Sequence, residues 1–118
     1  LDAARTHLVP VPLASGRRKE RGFNQAEEVV RRAAKELGII VESDLLVRTR
    51  ETASQVSLPR KAREENMRGA FGAARPANSS LTYIVFDDVI TTGATLQAAV
   101  DALKEAGAEH IIPLALAH

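Results

Sequence analysis

Residues 83–97 read Tyr83-Ile-Val-Phe-Asp-Asp-Val-Ile-Thr-Thr-Gly-Ala-Thr-Leu-Gln97, and the order of residue types predicts a strand, a polar loop and a helix. An apolar run ends in two adjacent carboxylates, a loop rich in threonine follows, and an apolar-periodic segment begins where the loop ends. The backbone N–H groups of such a loop and the positive end of the helix point at one spot. This arrangement favours a bound phosphate group.

The two acids of this stretch, Asp87 and Asp88, stand directly before the loop. Paired carboxylates suit vicinal hydroxyls or a magnesium ion, so a phosphate beside them indicates a ribose 5-phosphate. A solvated turn with an ordinary N-cap would explain one acid and one threonine. It does not explain two acids, three threonines and a glycine within nine residues, 87–95. The loop has no lysine and only one glycine, which excludes a P-loop and a dinucleotide fingerprint.

The length and composition of the chain predict one compact domain over residues 1–118. With 45% hydrophobic and 26% charged residues, the composition is that of a globular protein rather than a disordered one. The chain has no cysteine, which excludes disulfides and thiolate metal sites. No apolar run approaches the roughly 20 residues of a membrane span and no signal peptide opens the chain, so we expect a cytoplasmic protein. Because the chain begins at Leu1, we expect it to be the C-terminal part of a longer protein.

Strand-like and helix-like segments alternate along the chain. This alternation predicts an α/β fold of three layers, with a mainly parallel sheet flanked by helices. Ligands of such folds bind outside the carboxyl ends of the strands, where the acids and the threonine loop are expected to lie. The predicted strands are residues 7–13, 39–41, 45–47, 81–86 and 111–116, and the predicted helices are residues 23–37 and 95–106.

The first predicted helix has one apolar face and one charged face. Its apolar residues recur at spacings of three and four, which predicts that they point inward. They are Phe23, Ala26, Val30, Ala33 and Leu37. On the outer face, Glu28 and Arg32 are spaced for an ion pair. Gly38 is expected to end the helix.

Two segments of the chain are rich in cations. The first, residues 14–21, follows the first predicted strand, and the second, residues 49–69, has little apolar periodicity. We interpret the second as a mobile loop with at least one helical turn. Plain structural alternatives are a solvated surface loop for the first segment and an exposed charged helix for the second. The cations include Arg17, Arg18 and Arg21 in the first segment and Arg60, Lys61 and Arg63 in the second.

Residues 84–95 resemble the 5-phosphoribosyl-1-pyrophosphate (PRPP) motif of type I phosphoribosyltransferases. That motif is a hydrophobic strand, two acids, and a phosphate loop rich in threonine and glycine. The resemblance implies that Asp87 and Asp88 hold the ribose 2′- and 3′-hydroxyls and act in catalysis. It also implies that the loop wraps the 5-phosphate with backbone N–H groups and hydroxyls, and that Gly93 lets the backbone approach closely. The loop residues are Thr91, Thr92, Gly93, Ala94 and Thr95.

The rest of the chain is similar to the ComF family, a branch of this superfamily associated with competence for DNA uptake. The resemblance covers nearly the whole chain in order. Two features depart from the family pattern. A cysteine-rich, zinc-binding N-terminal segment is absent, and residues 14–16 read Ala-Ser-Gly where the family often has His-Pro-Arg. The matching residues are 9–13, 21–27, Thr52, Gln55, Leu58, Arg60, Arg63, Asn66 and 68–71, together with the PRPP motif.

The resemblance implies a reaction at C1 of PRPP, where a nitrogen nucleophile attacks and pyrophosphate leaves. The transition state would be oxocarbenium-like, so cations around the pyrophosphate and exclusion of water would favour it. Magnesium would be held near Asp87 and Asp88, mainly through substrate and water ligands. The superfamily places a pyrophosphate loop where Arg17, Arg18 and Arg21 lie. It places a catalytic lid where Arg60, Lys61 and Arg63 lie.

Three functions remain open from the sequence. The first is a phosphoribosyltransferase of nucleoside metabolism that uses PRPP and Mg²⁺, with a nucleobase or an amine as acceptor. The second is a non-catalytic module that binds PRPP or ribose 5-phosphate and acts with the DNA-uptake machinery. Direct binding of single-stranded DNA is disfavoured, because aromatic residues make up 3% of the chain and the net charge is +1. The acceptor and the oligomeric state, a homodimer included, stay open.

Overall fold

The computed structural model describes residues 2–12, 25–49, 69–87 and 93–115. Apolar runs of the sequence form the strands, and segments of helical periodicity form the two α-helices of the described residues. In chain order the elements are a 3₁₀ turn at Ala3–Arg5, β1 at Thr6–Pro10, α1 at Gln25–Leu37, β2 at Ile40–Val41, β3 at Leu46–Arg48, β4 at Phe71–Ala73, β5 at Thr82–Asp87, α2 at Ala94–Glu105 and β6 at His110–Ala115.

Four of the strands form one parallel sheet in the order β2-β1-β5-β6. Strands β1 and β5 are neighbours at its centre, paired from Thr6 with Thr82 to Pro10 with Phe86. One further bond continues this ladder, because the Val11 N–H donates to the Phe86 carbonyl at 2.9 Å. The chain leaves β1 toward one edge of the sheet and leaves β5 toward the other. The boundary between β1 and β5 is therefore the topological switch point, where α/β sheets bind ligands.

The two helices cover opposite faces of the sheet. On one face α1 contributes the buried Ala34, which packs with Leu8 and Phe86. The core of the other face lies under α2 and includes Val9, Val11, Tyr83, Val85, Leu96, Ala99 and Leu103. Both faces of the central strands are thus covered, as a parallel sheet requires. The predicted α/β fold, with a mainly parallel sheet flanked by helices, is confirmed.

The buried side of α1 differs from the predicted one. Ala34 is buried and Val30 is half-buried against the sheet, whereas Ala33 is exposed and Leu37 is 64% exposed. The prediction that Ala33 and Leu37 point inward is therefore wrong. Positions 23 and 26 of the predicted face lie where the structure describes no side chains.

The way α1 ends explains why Leu37 stays outside. The Ile39 N–H donates to the Ala34 carbonyl at 2.8 Å, and the Gly38 N–H donates to the Lys35 carbonyl at 3.2 Å. These two bonds, with Gly38 at a φ of 76°, form a Schellman turn. The chain reverses at Gly38, as predicted, and Ile39 rather than Leu37 packs against the buried cluster.

A short antiparallel hairpin of β3 and β4 packs beside the main sheet. Leu46 pairs with Ala73 and Arg48 with Phe71, and the buried side chains of Leu46 and Phe71 join the core under α2. Strand β4 was not predicted, because three residues with a central glycine give no alternation signal. Thr49 closes the hairpin: its N–H donates to the Ala70 carbonyl at 2.8 Å and its hydroxyl to the Gly69 carbonyl at 2.6 Å.

A charged network joins β1, β2 and β4 at the side of the sheet. His7 Nδ1 lies 2.7 Å from Glu42 Oε2, and Arg75 donates to Glu42 Oε1 and, at 3.2 Å, to Asp44 Oδ1. Burial alone would raise the pKa of Glu42. The hydrogen bonds and charges of His7 and Arg75 outweigh that effect and hold the Glu42 pKa below its ordinary value of 4.5. Glu42 therefore stabilises the fold in its ionised form.

We expect Glu42→Gln to lower the free energy of unfolding at pH 7 by roughly 1 to 2 kcal/mol, because charge-assisted hydrogen bonds are lost. Because the pKa of Glu42 is lower in the folded state than in the unfolded state, the ionised carboxylate stabilises the fold at pH values above the unfolded-state pKa. This stabilisation is lost as the pH falls through the folded-state pKa. The difference from wild type should therefore shrink below about pH 4. Urea unfolding at pH 7 and at pH 3 measures both values.

The matched control is Glu28→Gln. Glu28 pairs with Arg32 at 3.5 Å on the exposed face of α1, where such pairs contribute about 0.5 kcal/mol or less. The account of the network is contradicted if both variants lose the same stability, or if the loss in Glu42→Gln is the same at both pH values.

Candidate functional site at the carboxyl edge of the sheet

Asp87 is the last residue of β5 and lies at the carboxyl edge, beside the switch point. Successive side chains of a strand point to opposite faces of the sheet, so the side chain of Asp87 lies on the face opposite Phe86. This is the face that carries Val85 and that α2 covers. Asp87 is 6% exposed, and it is the buried carboxylate among the residues that the structure describes. Burying an acid costs free energy, so a buried acid at the end of a central strand is typical of a functional site.

The N-terminus of α2 lies at this same edge. Since α2 connects the parallel strands β5 and β6, it runs back along the sheet and begins at the edge where β5 ends. Gly93 is the N-cap residue, with a φ of 83° and a ψ of −3°, and makes no side-chain cap. The positive end of the helix dipole lies at the N-terminus of a helix, so the turn that begins at Ala94 brings positive potential to this edge.

Four of the residues predicted for the ligand site are described, and all belong to this edge: Asp87, Gly93, Ala94 and Thr95. The remaining predicted residues lie outside the described part of the chain. They are Asp88, Thr91 and Thr92 of the motif, Arg17, Arg18 and Arg21 of the first basic segment, and Arg60, Lys61 and Arg63 of the second.

Each of the two basic segments is connected to the described structure near residues that form hydrogen bonds. The first segment follows Pro12, which comes directly after Val11 and its bond to Phe86. The second runs between Thr49 and Gly69, which are bonded to each other at the end of the hairpin. Chain connectivity therefore starts the first segment beside the strand that carries Asp87.

Arg48 connects these two points, and its role was not predicted from the sequence. Its Nε donates to the Pro12 carbonyl at 3.2 Å, and its guanidinium carbon lies 5.1 Å from the centre of the Phe71 ring. The only sequence signal was its position, directly after the predicted strand 45–47. Pro12 and Phe71 are 36 and 23 residues away along the chain, so periodicity could not reveal these contacts.

A groove of about 490 Å³ runs between α2 and β6, from Gly93 at the carboxyl edge to Ala108 at the opposite edge. Its floor is apolar and includes Leu96, Val100 and Ile111. Among the described residues that were predicted to bind the ligand, only Gly93 lines this groove. The groove is therefore a different surface from the polar edge that carries Asp87.

Carboxylate oxygens are ligands that suit Mg²⁺, and Asp87 supplies them at the edge of the sheet. Among the described residues, no group of three or more His, Asp or Glu side chains is arranged to hold a metal ion. The sequence-based prediction that Mg²⁺ lies near Asp87, mainly on substrate and water ligands, stays a prediction.

A family model, the phosphoribosyl transferase domain, matches residues 19–118 of this chain. The match spans most of the sequence and includes the whole PRPP-like motif at residues 84–95. The chain therefore belongs to the phosphoribosyl transferase domain family.

Similar proteins agree with this assignment. Competence protein F of Haemophilus influenzae is 34% identical over an alignment of 119 residues, covering 93% of this chain and 52% of that protein. DNA utilization protein YhgH is 37% identical in Salmonella typhi and 36% in Escherichia coli K12, in each case over 86% of this chain and 44% of the relative. The predicted resemblance to ComF proteins is confirmed. The chain spans about half the length of these curated relatives.

None of the helices in the described ranges combines the length and the apolar character needed to cross a membrane.

We expect Gly93→Ala and Gly38→Ala to lower the free energy of unfolding by similar amounts, about 1 to 2 kcal/mol each. Both glycines have a positive φ, and a Cβ at either would meet no atom of the described residues within 4 Å, so backbone strain is the expected cost. Urea unfolding of the two variants measures it. An unchanged stability in Gly93→Ala would contradict the left-handed conformation at the start of α2.

Proposed function

We propose that this chain binds PRPP at the carboxyl edge of the sheet and transfers its phosphoribosyl group to a nitrogen nucleophile, releasing pyrophosphate. The observation that carries the proposal is the juxtaposition of Asp87, buried at the end of β5, with the N-terminus of α2, which follows the left-handed Gly93. An acid for hydroxyls and the positive end of a helix for an anion lie at the carboxyl edge of a phosphoribosyl transferase fold.

The 5-phosphate would lie at the start of α2, held by backbone N–H groups of residues 91–95 and by the threonine hydroxyls. Gly93 favours this position in two ways. It adopts the left-handed conformation that turns the chain into the helix, and it has no side chain between the backbone and the phosphate. Asp87 and Asp88 would then accept hydrogen bonds from the ribose 2′- and 3′-hydroxyls.

In the proposed reaction the bond between C1 and the pyrophosphate oxygen breaks as a bond from nitrogen to C1 forms. The nucleophile loses one proton, and pyrophosphate leaves with the bonding electrons. Positive charge develops on the ribose, which the Asp87 and Asp88 carboxylates would favour. Magnesium, when bound, would neutralise charge on the pyrophosphate.

Cations of the two basic segments would take the leaving group. Arg17, Arg18 and Arg21 follow the exit of β1, the strand next to Asp87. Arg60, Lys61 and Arg63 belong to the segment that starts and ends at the hairpin. Their roles in holding pyrophosphate and in excluding water rest on the family resemblance.

A second candidate is a module that binds PRPP or ribose 5-phosphate without catalysis and serves DNA uptake. The names of the relatives favour this non-catalytic function, since they refer to competence and to DNA utilization rather than to a transfer reaction. Both candidates use the same ligand edge. They differ only in whether an acceptor reaches C1.

We expect PRPP with Mg²⁺ to raise the melting temperature of the protein, because a ligand at 100 times its Kd adds about 2.7 kcal/mol to stability. The double change Asp87→Asn with Asp88→Asn should abolish the shift, since the ribose hydroxyls lose their acceptors. Differential scanning fluorimetry with and without PRPP measures both proteins. Gly38→Ala is the control for lost stability, and it should keep the full shift. An undiminished shift in the Asp double variant would refute the site.

Release of pyrophosphate separates the two candidate functions. The full-length protein is incubated with PRPP, Mg²⁺ and a panel of nucleobases and amines, and pyrophosphate is assayed. The enzyme hypothesis predicts release with at least one acceptor and none with the Asp double variant. Binding of PRPP without release for any acceptor would favour the non-catalytic module.

A further inference from the structure

The face of the sheet that α1 covers carries exposed apolar side chains on strand β6. Ile112 pairs with Ile84 and Leu114 with Phe86 across the β5–β6 ladder, so these side chains point to the same face. Phe86 is buried there with Ala34 of α1. Ile112 is 43% exposed, Leu114 is 40% exposed and Ile84 is half-buried. A parallel sheet is normally covered by helices on both faces, and no helix of the described ranges covers this part.

A row of apolar side chains on α1 is exposed as well. Val29 and Leu37 are 66% and 64% exposed, and the exposed Ala33 lies between them, four residues from each. The row is turned about 100° around the helix from the buried Ala34, so it lies on the flank of α1 rather than on its outer side. Connections between parallel strands are right-handed in about 98% of cases, and this hand, applied to β1-α1-β2, directs the flank toward β5 and β6. The flank and the exposed part of the sheet are the wall and the floor of an apolar trough, defined by Val29, Ala33, Leu37, Ile84, Ile112 and Leu114.

The width of the apolar trough matches one α-helix. Strand β6 lies two strands away from β1, and at about 4.8 Å per strand this is about 9.6 Å. Helix α1 packs on β1 through the contact of Ala34 with Leu8. Packed helices have axes about 8 to 10 Å apart, so a further helix beside α1 would lie over β6. One side of that helix would contact the floor and the α1 flank, and the other would face solvent.

A second copy of this chain does not have a described helix that suits the trough. The outward row of α1, opposite Ala34, consists of the exposed residues Glu28, Arg32 and Glu36. The most exposed side of α2 is also polar, with Gln97, Asp101, Lys104 and Glu105. Either helix, laid on Ile112 and Leu114, would lose the hydration of its charged groups to an apolar surface. The occupant must therefore be a helix with one apolar side.

The part of the longer protein outside this chain is a source of such a helix. This chain spans about half the length of its curated relatives, 52% of Competence protein F and 44% of the Salmonella typhi protein. We propose that an amphipathic helix of the full-length protein, from outside residues 1–118, packs in the apolar trough with its apolar side on β6 and on the α1 flank. This contact joins the rest of the protein to β5, the strand that ends in Asp87. It does not depend on which ligand binds at the carboxyl edge.

Site-specific photo-crosslinking of the full-length protein tests the proposal. The photoreactive residue p-benzoylphenylalanine replaces Ile112 in one variant and Leu37 in another. On illumination both variants should cross-link within the same molecule to one peptide from outside residues 1–118. Mass spectrometry should identify this peptide, whose apolar residues should recur at spacings of three and four.

The matched control is the same replacement at Ile40. Ile40 is 57% exposed, and its pairing with His7 places its side chain on the opposite face of the sheet from Leu8 and α1. This variant should give no cross-link to that peptide. The proposal is overturned by cross-links that stay within residues 1–118, by cross-links between two copies, or by the absence of cross-links from both trough positions.

A smaller substitution covers the case in which the photoreactive side chain displaces the helix or prevents folding. In the full-length protein, Ile112→Ser should shift the midpoint of urea unfolding to lower concentration by more than Ile40→Ser does, because only Ile112 would be buried under the helix. Equal shifts in the two serine variants would show that the trough is open to solvent and would overturn the proposal.

Discussion

Strands β1 and β5 pair in parallel from Thr6 with Thr82 to Pro10 with Phe86, and the chain diverges from this pair in opposite directions. Val9 and Val85 at its centre are fully buried, so the register is held by the core as well as by the ladder. A slip of one residue would turn Asp87 to the other face, away from α2. The position of Asp87 relative to the start of α2 therefore depends on this single pairing.

The same pairing sets what the edge can bind. It brings the exit of β1 next to Asp87, and because β5 and β6 are parallel, α2 begins at the same edge with its positive end. Asp87 is buried there, and a buried acid at the end of a central strand is typical of a ligand site. Binding of a ligand at this edge would explain why the acid lies there.

Much of the fold could be predicted because its signals are local. The apolar run at residues 81–86 and the periodicity at 95–106 give β5 and α2 within one residue of their observed bounds. Strand β1 was predicted less closely, since it ends at Pro10, three residues before the predicted bound. The sequence did not reveal β4, whose Phe-Gly-Ala pattern gains its structure from pairing with β3. Nor did it give the inward side of α1, which is set by the turn at Gly38 and by Ile39.

The candidate site, like the fold, could be predicted only where its signals are local. Asp87, Gly93, Ala94 and Thr95 are contiguous in one motif, so their chemistry could be inferred from residue types and order. Arg48 could not be found in this way, because its contacts to Pro12 and Phe71 exist only after the hairpin packs beside the sheet. Long-range contacts of this kind require the tertiary structure.

The most direct measurement is an amide NMR titration of the protein with ribose 5-phosphate. If the phosphate lies at the start of α2 and the hydroxyls at Asp87, the largest shifts will fall on the amides of Asp87 and of residues 93–95. The amides of the corresponding left-handed turn at Gly38 should stay unmoved at every ligand concentration. Saturable shifts centred elsewhere, or none in residues 93–95, would contradict the assignment of the carboxyl edge as the phosphoribosyl site.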